Sequence, residues 1–341
     1  MKAFVMSAGL GTRLRPLTFH VPKPMITIAN KPVLQNTLEL LSKHNVKDVA
    51  VNLHSFPEII KKYFGNGEKF DINITYSFEK ELLGTAGGVR KMKDMLDETF
   101  IVMSGDGLVD LDITEVLKFH KEKKTIATIV LKSKDKKFEY GVVRAGKDCA
   151  IEQFIEKPLW GDVFENRVNT GIYILEPEIF DYIPENKFYD FGHNVWPELL
   201  KKNIPIYAYE IDSYWCDIGN LYEYRKAQID VMSGAVNIKI PGREISNKIW
   251  VGDNTEIDSN ADLMPPCIIG NSCKINKGAA IKGNTVIGNN VIIDDSASIE
   301  NCVIWDNVRI GKGSVLKDCI VGSDSNVTSG SIVYEGTIVK K

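Results

Sequence analysis

Residues 268–300 read IIGNSCKINKGAAIKGNTVIGNNVIIDDSASIE, and an aliphatic side chain returns at every sixth position: Ile269, Ile275, Ile281, Ile287, Ile293 and Ile299. A half-buried strand alternates with period two and a helix with period 3.6, so neither sustains a beat of six. A hexapeptide period marks a parallel β-helix, in which each aliphatic side chain points inward at a corresponding position and successive coils stack. Upstream the beat extends through Val251, Ile257 and Leu263, with Gly, Asn and Asp between the aliphatic positions. Downstream its phase slips by one residue to Ile304, Ile310 and Leu316, and slips again to Val321, Val327, Val333 and Val339.

Before Pro241-Gly242 the pattern is different. Short apolar runs alternate with amphipathic stretches: Lys2–Met6, Val49–Asn52, Phe100–Ser104, Ile126–Leu131, Tyr140–Arg144, Gly171–Leu175 and Pro205–Glu210 read as strands. Pro32–His44 places Leu34, Leu38 and Leu41 on one helical stripe, Pro57–Phe64 reads as a second helix, and a helix around Leu221–Met232 closes the region. Such alternation argues for a parallel sheet with helices on both faces and ligands at the carboxyl ends of the strands, where Gly9 and Asp106 stand. A chain of 341 residues exceeds what one core usually supports. The expected division is a first domain over 1–232, a linker over 233–243 and a β-helix over 244–341.

Charge excludes several classes of partner. With 42 Lys plus Arg against 45 Asp plus Glu there is no basic excess for nucleic acid, and the densest basic run, Lys118–Lys124, reads as the solvated end of a helix. No segment approaches the roughly twenty apolar residues that span a bilayer. Gly-Thr-Arg-Leu-Arg follows the short apolar start at once, which leaves no room for a signal peptide. Six cysteines without a CxxC pair or nearby histidines suggest neither a zinc site nor a disulfide scaffold. The expectation is a cytoplasmic protein with reduced thiols.

The segment AGLGTRLRPLT, Ala8–Thr18, directly follows the first strand and precedes PKPM, Pro22–Met25. Gly9 and Gly11 permit φ > 0 and let backbone N–H groups approach a triphosphate, and Arg13 supplies charge against departing pyrophosphate. The segment is no Walker loop, lacking Gly-Lys-Ser/Thr, and Leu14 stands where the dinucleotide fingerprint has its third glycine. Asp106 and Asp217 are lone aspartates at strand or loop ends, suited to Mg²⁺, a hard cation held through one or two carboxylates plus substrate phosphates.

Six motifs in order carry a resemblance. Gly9–Thr18 with Lys23-Pro24 resembles the signature loop of the sugar-1-phosphate nucleotidyltransferases. Leu83–Gly88 (LGTAGG) resembles their base-recognition loop, Gly105-Asp106 their first metal aspartate, and Glu156-Lys157-Pro158 their sugar-phosphate motif. Asn169–Tyr173 (NTGIY) is similar to the sugar-binding strand, and Tyr214–Gly219 (YWCDIG) to the second metal motif. The resemblance implies a Rossmann-like α/β domain built on a mixed sheet, followed by a left-handed parallel β-helix of hexapeptide repeats. It implies a magnesium-assisted, in-line attack by a sugar 1-phosphate on the α-phosphorus of a nucleoside triphosphate. Ala8, Gly9, Gly11, Thr12, Arg13, Gly84 and Thr85 then hold the nucleotide, and Lys23 steadies the triphosphate with Arg13. Lys157 grips the sugar phosphate, Glu156, Asn169 and Gly141 meet the sugar, and Asp106 and Asp217 hold Mg²⁺. Arg13, Lys23, Asp106, Lys157 and Asp217 form the implied catalytic set.

Two departures are small: Ala8 stands where many members have glycine, and Gly107 follows Asp106 where some have a polar residue; in FYDFGHNVWPELL (188–200), which resembles the helix near the sugar site, Asn194 stands where an acidic residue is common. ELLGTAGG, FIEKPLWGDV (154–163) and VNTGIYILEPEIFDYIP most resemble mannose-1-phosphate guanylyltransferases with a β-helix, which favours GTP and mannose 1-phosphate. UTP, dTTP or ATP with glucose 1-phosphate, or GTP with a heptose phosphate, use the same motifs. An acyltransferase role for the β-helix is disfavoured because the last histidine is His193. A silent paralogue that only binds nucleotide sugars would be expected to lose the catalytic charges. Flat β-helix faces suit a homo-oligomer.

Overall fold

The computed structural model describes residues 1–134, 140–159 and 165–340. Residues 160–163 of FIEKPLWGDV lie outside the described residues. Contacts divide the chain into two units: 1–10, 22–25 and 34–217 form the first, and 11–21, 26–33 and 218–341 the second.

In the first unit, Lys2–Met6 lies mid-sheet because its Ala3, Phe4 and Val5 are fully buried. It pairs in parallel with Asp48–Leu53, which pairs in parallel with Asn73–Phe78, and on its other side with Phe100–Ser104. This half matches the parallel sheet read from the alternation. Beyond Phe100–Ser104 the sense changes: Arg167–Leu175 joins antiparallel and is itself flanked antiparallel by Ala127–Ser133 and Val142–Ala145. Ile151–Ile155 and Tyr207–Glu210 complete the nine strands, so the sheet is mixed. A bulge between Asn169 and Tyr173, with Gly171 at φ 76, bends the long strand. Helices α1 (Val33–Lys43), α2 (Pro57–Phe64), α3 (Gly84–Arg90), α4 (Ile113–Lys123) and α5 (Trp196–Lys201) connect the strands. Asp112 caps α4, its carboxylate accepting from the N–H groups of Thr114 and Glu115.

The second unit contains three sheets whose strands pair in parallel from coil to coil, one of them opened by the antiparallel strand Arg243–Ser246. Ile269 pairs with Ile287, Ile287 with Ile304 and Ile304 with Val321, while Ile275–Ile293–Ile310–Val327 and Ile281–Ile299–Leu316–Val333 run along the other two. Most of these side chains are buried, each stabilising the coil by about 1.5–3 kcal/mol relative to exposure. The final slip differs from the sequence reading: Ile338, not Val339, pairs with Val321, because the corner at Glu335 is again one residue short. Corners sit at positive φ, and Asn284, Asn290, Asn301, Asn307, Asp318 and Asp324 recur there. Asn and Asp tolerate the left-handed conformation better than other side chains with a Cβ. Helix α6 (Leu221–Ser233) belongs to this unit. Its Tyr224 hydroxyl donates to the Thr27 carbonyl at 3.0 Å and accepts from Trp305 Nε1 at 2.8 Å, and Arg225 pairs with Asp318 at 2.7 Å. The sequence boundary at 232 therefore does not coincide with the division in contacts at 217–218.

Candidate active site

Strand pairing brings the two aspartates together. Gly107–Val109 runs antiparallel to Trp215–Asp217 with Asp217 opposite Gly107, so Asp217 faces the residue that follows Asp106. The 3₁₀ turn Lys23–Met25 delivers Lys23 between them: its Nζ lies 2.5 Å from Asp106 Oδ2 and 3.3 Å from Asp217 Oδ1. Lys23 is buried. Burial alone would lower its pKa, but the two carboxylates outweigh that and raise it. Burial likewise pushes the Asp106 carboxyl up, while the Lys23 ammonium and the Ser104 hydroxyl overcome it and hold it below its ordinary value. Trp215 is buried beside Asp217 and packs edge-on against Tyr140, with ring centres 5.3 Å apart.

A second cluster forms where Tyr140-Gly141 meets the bulged strand. Asn169 N donates to the Gly141 carbonyl at 2.8 Å, and a Cβ on Gly141 would fall 2.7 Å from Glu156 Oε2. A side chain there would displace the Glu156 carboxylate or the Phe154 ring. Asn169 uses its amide to set the bulge, accepting from Gly171 N and donating to the Tyr173 hydroxyl, both at 3.0 Å. Burial first, and then nearby Asp190, raise the Glu156 carboxyl pKa against the opposing pull of Lys157 and His193. Lys157 is exposed and adopts φ 46.

Gly84–Gly88 is the first turn of α3 rather than an open loop. Gly84 has φ 75, and a Cβ there would stand 2.4 Å from the Tyr189 carbonyl oxygen. Ala86 N and Gly87 N both donate to that carbonyl at 3.0 Å. The Thr85 hydroxyl donates to Asp190 Oδ2 at 2.8 Å and accepts from Phe191 N at 2.9 Å. Asp190, which the sequence motifs did not single out, thus joins the α3 turn to the surroundings of Glu156. Its visible signal was only that of a helix cap, and it accepts from the N–H groups of Gly192 and His193.

Ala8 and Gly9 follow the central strand in the first unit; Gly11, Thr12 and Arg13 belong to the second. Only Gly11 of the two glycines uses positive φ, at 62, opening the 3₁₀ turn Thr12–Leu14, while the Thr18 hydroxyl donates to its carbonyl at 2.8 Å. Gly9 does not need the left-handed region; a Cβ there would meet nothing within 4 Å. Its freedom from a side chain leaves its backbone open to a ligand.

Residues 2–234 match the nucleotidyl transferase family, and residues 246–341 match the left-handed β-helix domain of the EIF2B epsilon subunit. The chain is 39% identical over 319 residues to a UTP–glucose-1-phosphate uridylyltransferase of Synechocystis, covering 89% of this chain and 82% of that protein. It is 32% identical to a mannose-1-phosphate guanyltransferase of Debaryomyces hansenii, covering 77% and 73% respectively. The Gibberella zeae protein of the same name is 31% identical, with 88% and 90% covered. A solved structure, described as a putative glucose-1-phosphate thymidylyltransferase from Bacillus anthracis, shares the fold with a TM-score of 0.63, covering 70% of this chain and 96% of that one at 22% identity. The nine-stranded mixed sheet, the short ribbon that brings the two aspartates together and the coil of hexapeptides behind them in sequence are accounted for together: this chain belongs to the nucleotidyl transferase family and is a nucleotidyltransferase with a left-handed β-helix after its catalytic domain.

Proposed function

We propose that the protein joins a nucleoside triphosphate to a sugar 1-phosphate, forming a nucleotide sugar and releasing pyrophosphate. The observation that carries this reading is Lys23 held between Asp106 and Asp217. The donor set fits Mg²⁺: two hard carboxylates stand around a position already suited to positive charge, leaving phosphates and water to complete a shell. Among the described residues no cluster of three or more His, Cys, Asp and Glu could hold a metal by itself, so the substrate would have to contribute ligands. When bound, Mg²⁺ supplies charge neutralisation and alignment at the phosphates. Asp106 and Asp217 hold it, Lys23 and Arg13 balance charge along the triphosphate, and Ala8, Gly9, Gly11, Thr12, Gly84 and Thr85 shape the nucleotide site. Lys157 binds the sugar phosphate, and Gly141, Glu156 and Asn169 orient the sugar so that the phosphate oxygen attacks in line. Alignment and neutralisation suffice, and no protein nucleophile is required.

GTP with mannose 1-phosphate is the pair favoured by the base and sugar motifs and by the names of the two fungal relatives. UTP with glucose 1-phosphate is a second reading, favoured by the 39% identity to the Synechocystis protein. Pyrophosphate release, measured with Mg²⁺ across five triphosphates and the 1-phosphates of mannose, glucose and heptose, separates them. One productive pair is expected; release with none, from folded protein, would refute the reaction. Among the described residues no helix is long and apolar enough to cross a membrane. A cytoplasmic location and a homo-oligomer belong to the same proposal, checked by fractionation and by light scattering.

A further inference from the structure

Glu79 is 2% exposed, follows the strand Asn73–Phe78, and belongs to none of the six motifs. A carboxylate so deeply buried is costly unless its oxygens are satisfied, and both are. Oε1 accepts from Asn52 Nδ2 at 2.8 Å and Oε2 from Leu83 N at 3.0 Å. Asn52 is buried at the carboxyl end of the neighbouring strand, and its Oδ1 accepts from Ser7 N at 2.6 Å. The result is a continuous chain from Ser7, at the root of Ala8-Gly9, to Leu83, immediately before Gly84-Thr85. Gly88 completes the cradle: a Cβ there would lie 2.6 Å from Glu79 Oε1 and 3.0 Å from Asn52 Nδ2.

We propose that Glu79, acting with Asn52, is a positioning residue that fixes the separation of the two nucleotide-binding segments and so sets affinity for the triphosphate. This rests on the assignment of Ala8–Arg13 and Gly84-Thr85 to the nucleotide under the proposed function. Each link has a polarity. Both ends of the chain are backbone N–H donors, so the two side chains between them must supply three acceptors and one donor group: an amide at 52 and a carboxylate at 79 do so. Asn52 cannot be turned over, because its NH₂ would then face Ser7 N–H.

That polarity makes Glu79→Gln irreparable by rotation. The new NH₂ must face either Leu83 N–H or the Asn52 NH₂; relieving the second contact by turning Asn52 places donor against donor at Ser7. Asn52→Asp alone sets two carboxylates against each other. The double exchange Asn52→Asp/Glu79→Gln reverses only the middle link. The carboxylate introduced at position 52 accepts from Ser7 N–H and from the NH₂ of the amide introduced at position 79, and that amide's carbonyl oxygen accepts from Leu83 N–H. Size and total charge are unchanged.

The test is steady-state kinetics on the full chain with Mg²⁺ and its productive substrate pair, together with thermal melting. Glu79→Gln is expected to raise the triphosphate KM about ten- to hundredfold, the scale of one unpaired buried donor, with a smaller change in the sugar 1-phosphate KM at saturating triphosphate. The double variant is expected to recover most of that loss. A lowered Tm with unchanged triphosphate KM would make Glu79 merely structural and overturn the proposal, as would a double variant no better than the single ones. Should Glu79→Gln be recovered only unfolded, the double variant carries the test: a triphosphate KM near wild type supports the relay, and an unfolded or impaired protein overturns it. Arg13→Ala separates this result from the reading beneath it. If Arg13→Ala raises the triphosphate KM and Glu79→Gln does not, the relay alone fails; if neither moves it in an active enzyme, the nucleotide assignment fails with it.

Discussion

At the residue scale, Lys23 lies between two carboxylates that belong to different segments of the chain, and each removal has a distinct electrostatic consequence. Asp106→Asn and Asp217→Asn each leave Lys23 one carboxylate and take a hard ligand from the proposed cation, so turnover should fall at least about hundredfold while the fold persists. Circular dichroism and pyrophosphate release on the same samples check both halves of that statement; retained turnover would remove the aspartates from the metal site. Glu156 offers a test by pH. Burial and then Asp190 raise its pKa, with Lys157 and His193 opposing, so its carboxylate is lost on acidification at higher pH than an ordinary glutamate loses its own. The protonated form is the one favoured by folding: its stabilising contribution is present below the ordinary glutamate pKa and disappears as pH rises through the raised one. If the ionised form holds the sugar, the sugar 1-phosphate KM rises on acidification, and Asp190→Asn shifts that rise to lower pH. An unshifted profile would separate Asp190 from Glu156. Asp106, Asp217 and Glu156 were legible as candidates because short ordered motifs surround them. Asp190 showed only as a helix cap and Glu79 not at all, since their other partners lie on segments distant in sequence or on backbone N–H groups, which leave no pattern in the chain.

At the element scale, the glycines divide by what surrounds them. Gly84 combines φ 75 with a Cβ position 2.4 Å from the Tyr189 carbonyl, so Gly84→Ala must shift the first turn of α3 away from the segment that anchors it. A stability loss of about 1–3 kcal/mol and a raised triphosphate KM are expected, measurable by denaturant titration and kinetics. Gly9→Ala meets nothing within 4 Å and no backbone penalty, so stability should change by no more than about 0.5 kcal/mol. Activity should nevertheless fall, since the added methyl stands where backbone approaches the triphosphate; an unimpaired Gly9→Ala enzyme would show that no such approach occurs. Strand and helix spans such as Phe100–Ser104 and Pro57–Phe64 were readable directly from apolar runs and Gly or Pro punctuation. The antiparallel half of the sheet was not, because local patterning does not encode which neighbour a strand chooses. The hexapeptide register was legible until its last corner, where adjacent Ile338 and Val339 both satisfy the pattern and only pairing with Val321 selects between them.

At the scale of the whole molecule, sequence periodicity and physical contact draw the boundary differently. Periodicity changes after Pro241-Gly242, but the contacts of α6 tie it to the coils through Tyr224–Trp305 and Arg225–Asp318, and Gln228 donates to Thr27 O at 2.7 Å and accepts from Ala29 N at 2.8 Å. Asn30 donates to Ile287 O at 2.7 Å, placing the segment 26–33 in the same unit. Trp305, next to the repeat position Ile304, is buried and hydrogen-bonded. Stability should follow these contacts rather than the change of repeat. Ile293 is fully buried in the coil and distant in sequence from α6, so Ile293→Ala should destabilise its unit by about 2–5 kcal/mol through lost contacts and the cavity left behind. If α6 opens with the coils, hydrogen exchange at its amides will accelerate together with exchange in the strands around Ile287 and Ile310, because one cooperative opening exposes both. The comparison is made in the intact chain, with the strand Lys2–Met6 as the internal reference. Faster exchange in the coils with unchanged protection in α6 would instead place the cooperative boundary after residue 232, and would reduce the Tyr224–Trp305 and Arg225–Asp318 contacts to a surface that can part while both sides remain folded.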